Sequence, residues 1–118
     1  MEHSALATST LADGETPLLP KFAVITASSS GQNEIVAAVT GKRIRVVGYN
    51  YISSGTVNAA WRSGATTVIG GLGYWVANTG KVAPFCPVGW FQTASGEALN
   101  LNLSGAVAVG GEVTYVEV

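Results

Sequence analysis

Residues 96–118, GEALNLNLSGAVAVGGEVTYVEV, carry the plainest strand pattern in the chain. Leucine alternates with a polar residue from position 99 to position 104, and this period of two places the leucines on one face of a β-strand. These leucines are Leu99, Leu101 and Leu103. After Gly110-Gly111 a second strand follows with apolar residues on both faces, so we expect it to lie in the middle or in a protected part of a sheet.

The strand pattern continues upstream of this stretch. Runs rich in valine, isoleucine, threonine and tyrosine cover residues 21–28, 34–39 and 42–52. In the longest run, strict alternation predicts that the core face consists of Ile44, Val46, Gly48 and Ile52. The following turn at residues 53–55 predicts a hairpin between this strand and the next one, residues 56–63.

Glycine and proline divide the middle of the chain into short pieces. Residues 64–80 contain five of the fifteen glycines, which leaves room only for short strands such as TTVIG and YWVA. Pro84 and Pro87 cannot donate ladder hydrogen bonds, so residues 81–93 should form an edge strand, a sheet crossing or an ordered loop. About eight short strands without a helical run predict an all-β fold, an antiparallel β-sandwich of jelly-roll-like or immunoglobulin-like type.

The first twenty residues show neither the helical nor the strand period. We therefore divide the chain into an extended N-terminal arm, residues 1–20, and a β-sandwich domain, residues 21–118. Because the arm has too little apolar sequence for a core of its own, we expect it to dock on neighbouring subunits. The contacts would be made by its four leucines, Leu6, Leu11, Leu18 and Leu19.

Composition argues against several classes of partner. Charged residues make up 11% of the chain, where about a quarter is usual, and a surface so poor in charge favours coverage by copies of the same chain or by a larger partner. The net charge of -1 gives no electrostatic footprint for nucleic acid. No apolar run approaches the roughly 20 residues of a membrane-spanning helix. The sequence shows no leader pattern at its start and has a single cysteine, so nothing in it predicts export.

No group of residues predicts catalysis, a metal site or a cofactor. The only histidine, His3, lies in the arm without a ligand pattern around it, which argues against both a metal site and a serine triad. Glu34, Glu97 and Glu112 lie beside turns or strand ends, where solvated charge is normal, and a glycosidase pair among them is the alternative. Cys86 is predicted to be a buried small hydrophobe. We therefore expect no enzyme.

Aromatic residues allow two interpretations. They could stack on sugar rings, or they could anchor the core and an oligomer interface, and the second interpretation is preferred. The candidates for an oligomer interface are Tyr74, Trp75, Phe85, Trp90, Phe91 and Tyr115.

Residues 83–118, APFCPVGWFQTASGEALNLNLSGAVAVGGEVTYVEV, resemble small structural proteins of tailed bacteriophages and prophages. A similar APF, P-GWF, TA-GEALNLNLS and terminal YVEV recur in those proteins, and the likeness extends upstream through GQNEIVAAVTGKRIRVVGYNYI. It therefore covers about residues 31–118 and leaves the arm outside. The members most similar in size and strand content are capsid cement, or decoration, proteins, which are β-sandwich trimers on the icosahedral head.

This resemblance implies a virion structural protein without catalytic residues. The chain would be made in the host cytoplasm and would bind the outside of the phage head as a homotrimer, in contact with the major capsid protein and with neighbouring cement subunits. The alternative from a different class is a receptor- or glycan-binding module of a phage tail fibre or spike, in which exposed aromatic rings face sugar. A hydrolase domain is a third and weaker interpretation.

Overall fold

The computed structural model describes the backbone of residues 12–13 and 16–118, and the side chains from residue 18 onward. Within these residues the chain forms twelve strands and no helix. In chain order the strands are β1 Ala12–Asp13, β2 Thr16–Pro17, β3 Lys21–Ala27, β4 Gly31–Val36, β5 Ile44–Ser53, β6 Val57–Ser63, β7 Thr67–Val68, β8 Gly73–Trp75, β9 Thr79–Ala83, β10 Phe91–Gln92, β11 Leu99–Leu103 and β12 Val109–Glu117.

Ten of these strands form two antiparallel sheets that pack face to face, which confirms the predicted β-sandwich. Sheet I has the order β9/β10, β5, β12, β3, and sheet II has the order β4, β11, β6, β7/β8. β9 and β10 follow one another along the same edge of β5, and β7 and β8 do the same along β6. When each such pair counts as one interrupted edge strand, the sandwich has the predicted eight strands, while a jelly-roll-like connectivity stays a prediction.

The core consists of side chains that both sheets direct into the space between them. The three leucines of β11 are fully buried there, as their alternation predicts. β12 lies between β5 and β3, so the prediction of a protected position for this strand is confirmed. Other fully buried members of the core include Ile25, Ile44, Val46, Val57, Trp61 and Val113.

A β-bulge in β5 changes which of its residues face the core. Two consecutive residues of β12 pair with Val46 and Gly48, so Val47 between them has no partner of its own. The extra residue reverses the alternation along the rest of β5, because side chains alternate strictly only in an uninterrupted strand. The two tyrosines of β5 therefore enter the core, and Ile52 is 60% exposed. The prediction that Gly48 and Ile52 belong to the core face is wrong for this reason.

The predicted hairpin between β5 and β6 is also wrong, because these strands belong to different sheets. Both edges of β5 are already occupied, one by β12 and the other by β9 and β10, so β6 has no edge on which to pair. Between these two strands the chain instead crosses from sheet I to sheet II. Ser53 Oγ donates a hydrogen bond to the Gly55 carbonyl, and the Ser54 amide donates to the Ala108 carbonyl at 2.9 Å.

Other strand boundaries differ from the sequence pattern by a few residues. The strand predicted at residues 34–39 is β4 and starts at Gly31. The glycine pair before the last strand lies inside β12, not ahead of it. At Gly111 the neighbouring strand passes so close that a Cβ atom would collide with the Asn50 carbonyl oxygen. These glycines therefore permit a close approach of two strands, where the sequence suggests a break.

An aromatic cluster fills one end of the core. Tyr49 and Tyr51 stack with ring centroids 5.8 Å apart, and the Trp61 ring meets Tyr49 edge-on at 5.4 Å. Trp75 packs edge-on against Tyr51 at 5.8 Å, and its Nε1 donates a hydrogen bond to the Tyr51 hydroxyl at 3.3 Å. Edge-to-face and offset geometry is the arrangement that aromatic pairs prefer, so the cluster adds to the stability of the core.

The buried tyrosines predict a loss of stability at alkaline pH. Burial raises the pKa of Tyr49 and of Tyr51 above the ordinary value of 10.0, while the unfolded chain ionises these phenols near that value. The stabilisation is complete below pH 10 or so and is lost as pH rises toward the folded-state pKa, because the unfolded chain releases its phenolic protons first. We expect Tyr51→Phe to lose less unfolding free energy than the parent chain between about pH 8 and pH 11 in urea titrations. Tyr74→Phe, at an exposed position, is the matched control, and equal losses in both variants would contradict the prediction.

Candidate interaction surface

The outer face of sheet I is apolar along both of its margins. Phe22 and Val24 project from β3 on one margin, and Val82 projects from β9 on the other, each at least 70% exposed. Phe85 follows β9 on the same margin and is also exposed. A fold with ample buried leucine and valine does not need these side chains outside, so they indicate a surface that a partner covers.

Mostly small and polar side chains lie between the two apolar margins, and Ile52 of β5 is an exposed apolar exception. One row across the sheet consists of Val82, Asn50, Glu112 and Val24, as the strand register places them. Strands lie about 4.8 Å apart, so the margins are separated by roughly 14 Å. A recess of about 250 Å³ lies within this channel, between the Phe85 side and β12. We call the two margins and the channel the outer face of sheet I.

The loop at residues 84–90 is fixed to this face by hydrogen bonds. The Cys86 amide donates to the Val47 carbonyl and the Trp90 amide donates to the Val46 carbonyl, both at 2.7 Å. The Trp90 indole Nε1 donates to the Pro84 carbonyl at 2.9 Å and so closes the loop. Of the three alternatives predicted for residues 81–93, the structure shows two, an edge strand up to Ala83 and an ordered loop after it, and no sheet crossing. Cys86 is a free thiol that is half-buried in this loop.

Sheet II presents a different outer face. Its outward positions are mostly polar, and the strand register aligns Glu34, Asn100 and Arg62 in one row across it. Asn100 is buried on this side, and its Nδ2 donates to the Gly64 carbonyl at 2.7 Å. The apolar exceptions are Val68 and Tyr74 on the short edge strands. Because the outer face of sheet I is more apolar than that of sheet II, it is the candidate surface for an extended contact with another protein.

The six aromatic candidates for an oligomer interface divide into two groups. Trp75, Phe91 and Tyr115 pack against the core cluster and are partly buried. Their participation in an interface stays a prediction, but the structure gives each of them a role within the subunit. The exposed members are Tyr74, Phe85 and Trp90.

The glutamates do not form a single site. Glu34 lies on the outer face of sheet II and Glu112 on that of sheet I, so the thickness of the sandwich separates their carboxylates. Glu97 accepts a hydrogen bond from Ser63 Oγ at 2.6 Å, and Ser63 Oγ in turn accepts one from the Ala94 amide at 2.9 Å. Glu97 thereby holds the segment before β11 against the end of β6.

No cluster of three or more histidine, cysteine or acidic side chains with metal-binding geometry occurs among residues 12–13 and 16–118. In the same part of the chain, no helix has the length and apolar character needed to cross a membrane.

Of the arm leucines, Leu6 and Leu11 lie outside the described residues. Leu18 is half-buried, and Leu19, two residues before the start of β3, is 77% exposed. An exposed leucine at this position is compatible with a contact to another molecule, and that contact stays a prediction.

Sequence reasoning missed most of the apolar margins. Phe22, Val24 and Val82 were not selected, although the run KFAVITA is apolar at both alternating sets of positions. Such a two-sided apolar strand is the signal that could have identified the β3 margin. Ile52 was missed because the bulge moves it to the outside.

Comparison of the chain with protein-family models, with curated protein sequences and with solved structures finds no match.

Proposed function

We propose that the protein is a virion structural protein, a cement or decoration protein that binds the outside of an icosahedral phage head as a homotrimer and stabilises it. The observation that carries this proposal is the apolar outer face of sheet I, whose margins include Phe22, Val24 and Val82. A chain that exposes such a face in isolation gains most by covering it in an assembly. The resemblance of residues 31–118 to phage structural proteins directs the proposal to a capsid.

The low charge content supports the same proposal. Only 11% of residues are charged, and the outer face of sheet I carries few charges to oppose association. Glu112 lies in the channel between the margins. A neighbouring subunit that contacts only the margins leaves the Glu112 carboxylate in contact with water. The margins are therefore proposed as the subunit contact of the trimer. The major capsid protein is proposed as the partner that the whole trimer binds.

The proposal predicts a trimer that depends on the margins. Light scattering of the purified chain should return about three times its mass of 12.0 kDa. Val82→Lys should shift the protein toward the monomer, because a buried unpaired charge costs several kcal/mol. Gln32→Lys adds the same charge on the exposed outer face of sheet II and should leave the trimer intact.

The capsid function is tested separately by co-sedimentation with phage heads that lack the protein. The parent chain and Gln32→Lys should sediment with the heads and raise their melting temperature, and Val82→Lys should not. A parent chain that is monomeric by light scattering contradicts the trimer. A trimer that fails to sediment with heads contradicts the capsid function alone.

The recess in the outer face of sheet I favours glycan binding as the second candidate function. Phe85, Asn50, Glu112 and Thr114 are among the residues that line it, and an aromatic residue together with hydrogen-bonding groups is a lining that suits a sugar. A glycan array separates the two functions. A signal that Phe85→Ala removes, together with no binding to heads, would favour a module of a tail fibre or spike over a cement protein.

A further inference from the structure

One lateral edge of the sandwich carries most of the exposed apolar side chains. Among the large apolar side chains that are exposed in the described part of the chain, eight lie within residues 68–90 and four lie elsewhere. This segment contains the end of β7, all of β8 and β9, and the loop that leads to β10. It therefore supplies terminal strands to both sheets. We call residues 68–90 the lateral edge.

Contacts between the sheets show that the two halves of the lateral edge lie on the same side of the sandwich. Only residues 76–78 separate β8 of sheet II from β9 of sheet I. Trp75 of β8 packs against Tyr51 of β5, the strand with which β9 pairs. Farther along, a Cβ atom at Gly70 would lie 3.1 Å from the ring of Phe91 in β10. The lateral edge is therefore one surface that extends across the thickness of the sandwich.

On the sheet II side, every second residue around β8 is exposed. The exposed side chains here are Leu72, Tyr74 and Val76. Between the last two, Trp75 is half-buried and its Nε1 donates a hydrogen bond to the Tyr51 hydroxyl at 3.3 Å. This contact holds the strand against the core. A row of exposed apolar side chains on a strand that is held in this way indicates a surface that another protein covers.

On the sheet I side, the exposed side chains of the lateral edge are Val82, Phe85, Val88 and Trp90. The Gly89 amide donates a hydrogen bond to the Cys86 carbonyl at 2.9 Å, which closes a turn with Val88 in its centre. Val88 is 82% exposed at this turn. Because hydrogen bonds already fix the loop, its apolar side chains lose little conformational freedom when a partner covers them.

The lateral edge is almost free of charge. Its one charged residue is Lys81, although charged residues make up 11% of the whole chain. The Lys81 Nζ lies 6.0 Å from the centroid of the Tyr49 ring, over the aromatic cluster of the core. Depletion of charge is typical of the centre of protein interfaces, and contacts between identical subunits are the most apolar class. The composition of the lateral edge therefore favours a second copy of the chain as the partner.

The size of the lateral edge supports the same partner. A stable contact between two proteins involves about 20–30 residues a side. The β9 margin of sheet I supplies only Val82 and Phe85, whereas the lateral edge continues from this margin and has a number of residues within that range. Its strands are two to five residues long, and Pro84 and Pro87 interrupt it. Short strands and prolines oppose strand pairing, so the contact is made by side chains.

We propose that the whole lateral edge, and not the β9 margin alone, is covered by a second copy of this chain. The inference rests on the trimer of the proposed function and extends its contact around the sandwich to the outer side of β8. In a cyclic trimer each contact joins two different patches of neighbouring subunits. The lateral edge forms one of these two patches, with Tyr74 and Val88 inside the contact.

Two lysine substitutions test the parts of the lateral edge that lie outside the β9 margin. Tyr74→Lys adds a charge on β8 and Val88→Lys adds one in the loop, each at a position more than 70% exposed, so both variants keep the fold of the subunit. The matched control is Gln32→Lys, exposed on β4 at the other end of sheet II. By light scattering, both edge variants should fall from about three times the chain mass of 12.0 kDa to that mass, because a buried unpaired charge opposes association. The control should keep the mass of the parent.

The possible results separate this inference from the proposed function. If Val82→Lys dissociates while one or both edge variants stay trimeric, the inference is overturned and the proposed trimer stands. Dissociation of the Gln32→Lys control also overturns the inference, because the loss then does not depend on the lateral edge. Edge variants that stay trimeric but no longer sediment with phage heads assign the edge to the capsid protein instead. A monomeric parent chain contradicts the proposed trimer and the inference together.

Hydroxyl-radical footprinting provides a measurement on the unaltered chain. Tyr74 and Trp90 should be oxidised several-fold more slowly in the parent trimer than in the monomer obtained with Val82→Lys. Trp61 is buried in the core of the subunit and serves as the internal control, with equal oxidation in both samples. Equal oxidation of Tyr74 in trimer and monomer would show that the β8 side of the edge is not covered by a second copy.

Discussion

Leu101→Asn is expected to leave the chain largely unfolded. Leu101 is fully buried in the central strand of sheet II, where it pairs with Asn33 of β4 and Trp61 of β6. Loss of a buried leucine costs about 2 to 5 kcal/mol, and burial of an unpaired amide adds about 1 to 3 kcal/mol. The sum is comparable with the whole stability of a small domain, about 5 to 15 kcal/mol.

The neighbouring position supplies the matched control. Asn102 is in the same strand but on the outer face of sheet II and is only partly buried. Asn102→Leu should therefore change stability by only about 0.5 kcal/mol in either direction. Thermal melts followed by circular dichroism compare the two variants. Equal melting of both would mean that β11 does not face the core as described.

Gly111→Ala should be strongly destabilising for so small a substitution. A Cβ atom at this position would collide with the Asn50 carbonyl oxygen across the ladder that joins β12 to β5. Because the obstacle is backbone, the two strands would have to separate, and strain of this type costs about 1 to 3 kcal/mol or more. Urea titration should show a lower midpoint with an unchanged slope.

Gly110→Ala, one residue earlier, tests the same argument in the opposite direction. Its Cβ atom would have the Ile25 carbonyl oxygen at 3.7 Å as its nearest neighbour, an ordinary contact. Neither glycine has a positive φ, so the local backbone conformation accepts alanine at both positions and only the collision at Gly111 distinguishes them. Replacement of a strand glycine should then stabilise the fold by about 0.5 to 1 kcal/mol. Destabilisation by both variants to the same extent would disprove the close approach at Gly111.

The alternation of apolar and polar residues predicted which side chains face the core wherever a strand runs without a bulge. The leucines of β11 were assigned correctly, because this strand is uninterrupted and has one apolar face. The bulge at Val47 could not be predicted, since the inserted residue is as apolar as its neighbours. The chain crossing between β5 and β6 was missed for a related reason, because a turn motif does not specify which sheet the next strand joins.

The candidate surface was less predictable than the fold. Exposure of Phe22 and Val24 depends on which side of sheet I faces sheet II, and this information comes from the pairing of β3 with β12, about ninety residues away. Aromatic type alone selected Trp75 and Phe91, which pack against the core, together with Phe85 and Trp90, which are exposed. Residue type therefore identified the members of a possible interface without separating them from the core.

The position of β11 and β12 in the sandwich has a consequence for synthesis. When the ribosome has translated residues 1–98, β5 and β3 still lack the strand that joins them, and so do β4 and β6. Each sheet is then divided at its centre: β3 and β4 have no partner, and β5 and β6 are paired on one edge only. Translation proceeds at about 5 to 20 residues per second, so the nascent chain remains in this state until the two central strands emerge. Folding then requires pairings between distant parts of the chain, which form slowly. The nascent chain should therefore depend on chaperones during synthesis, although the finished domain is small.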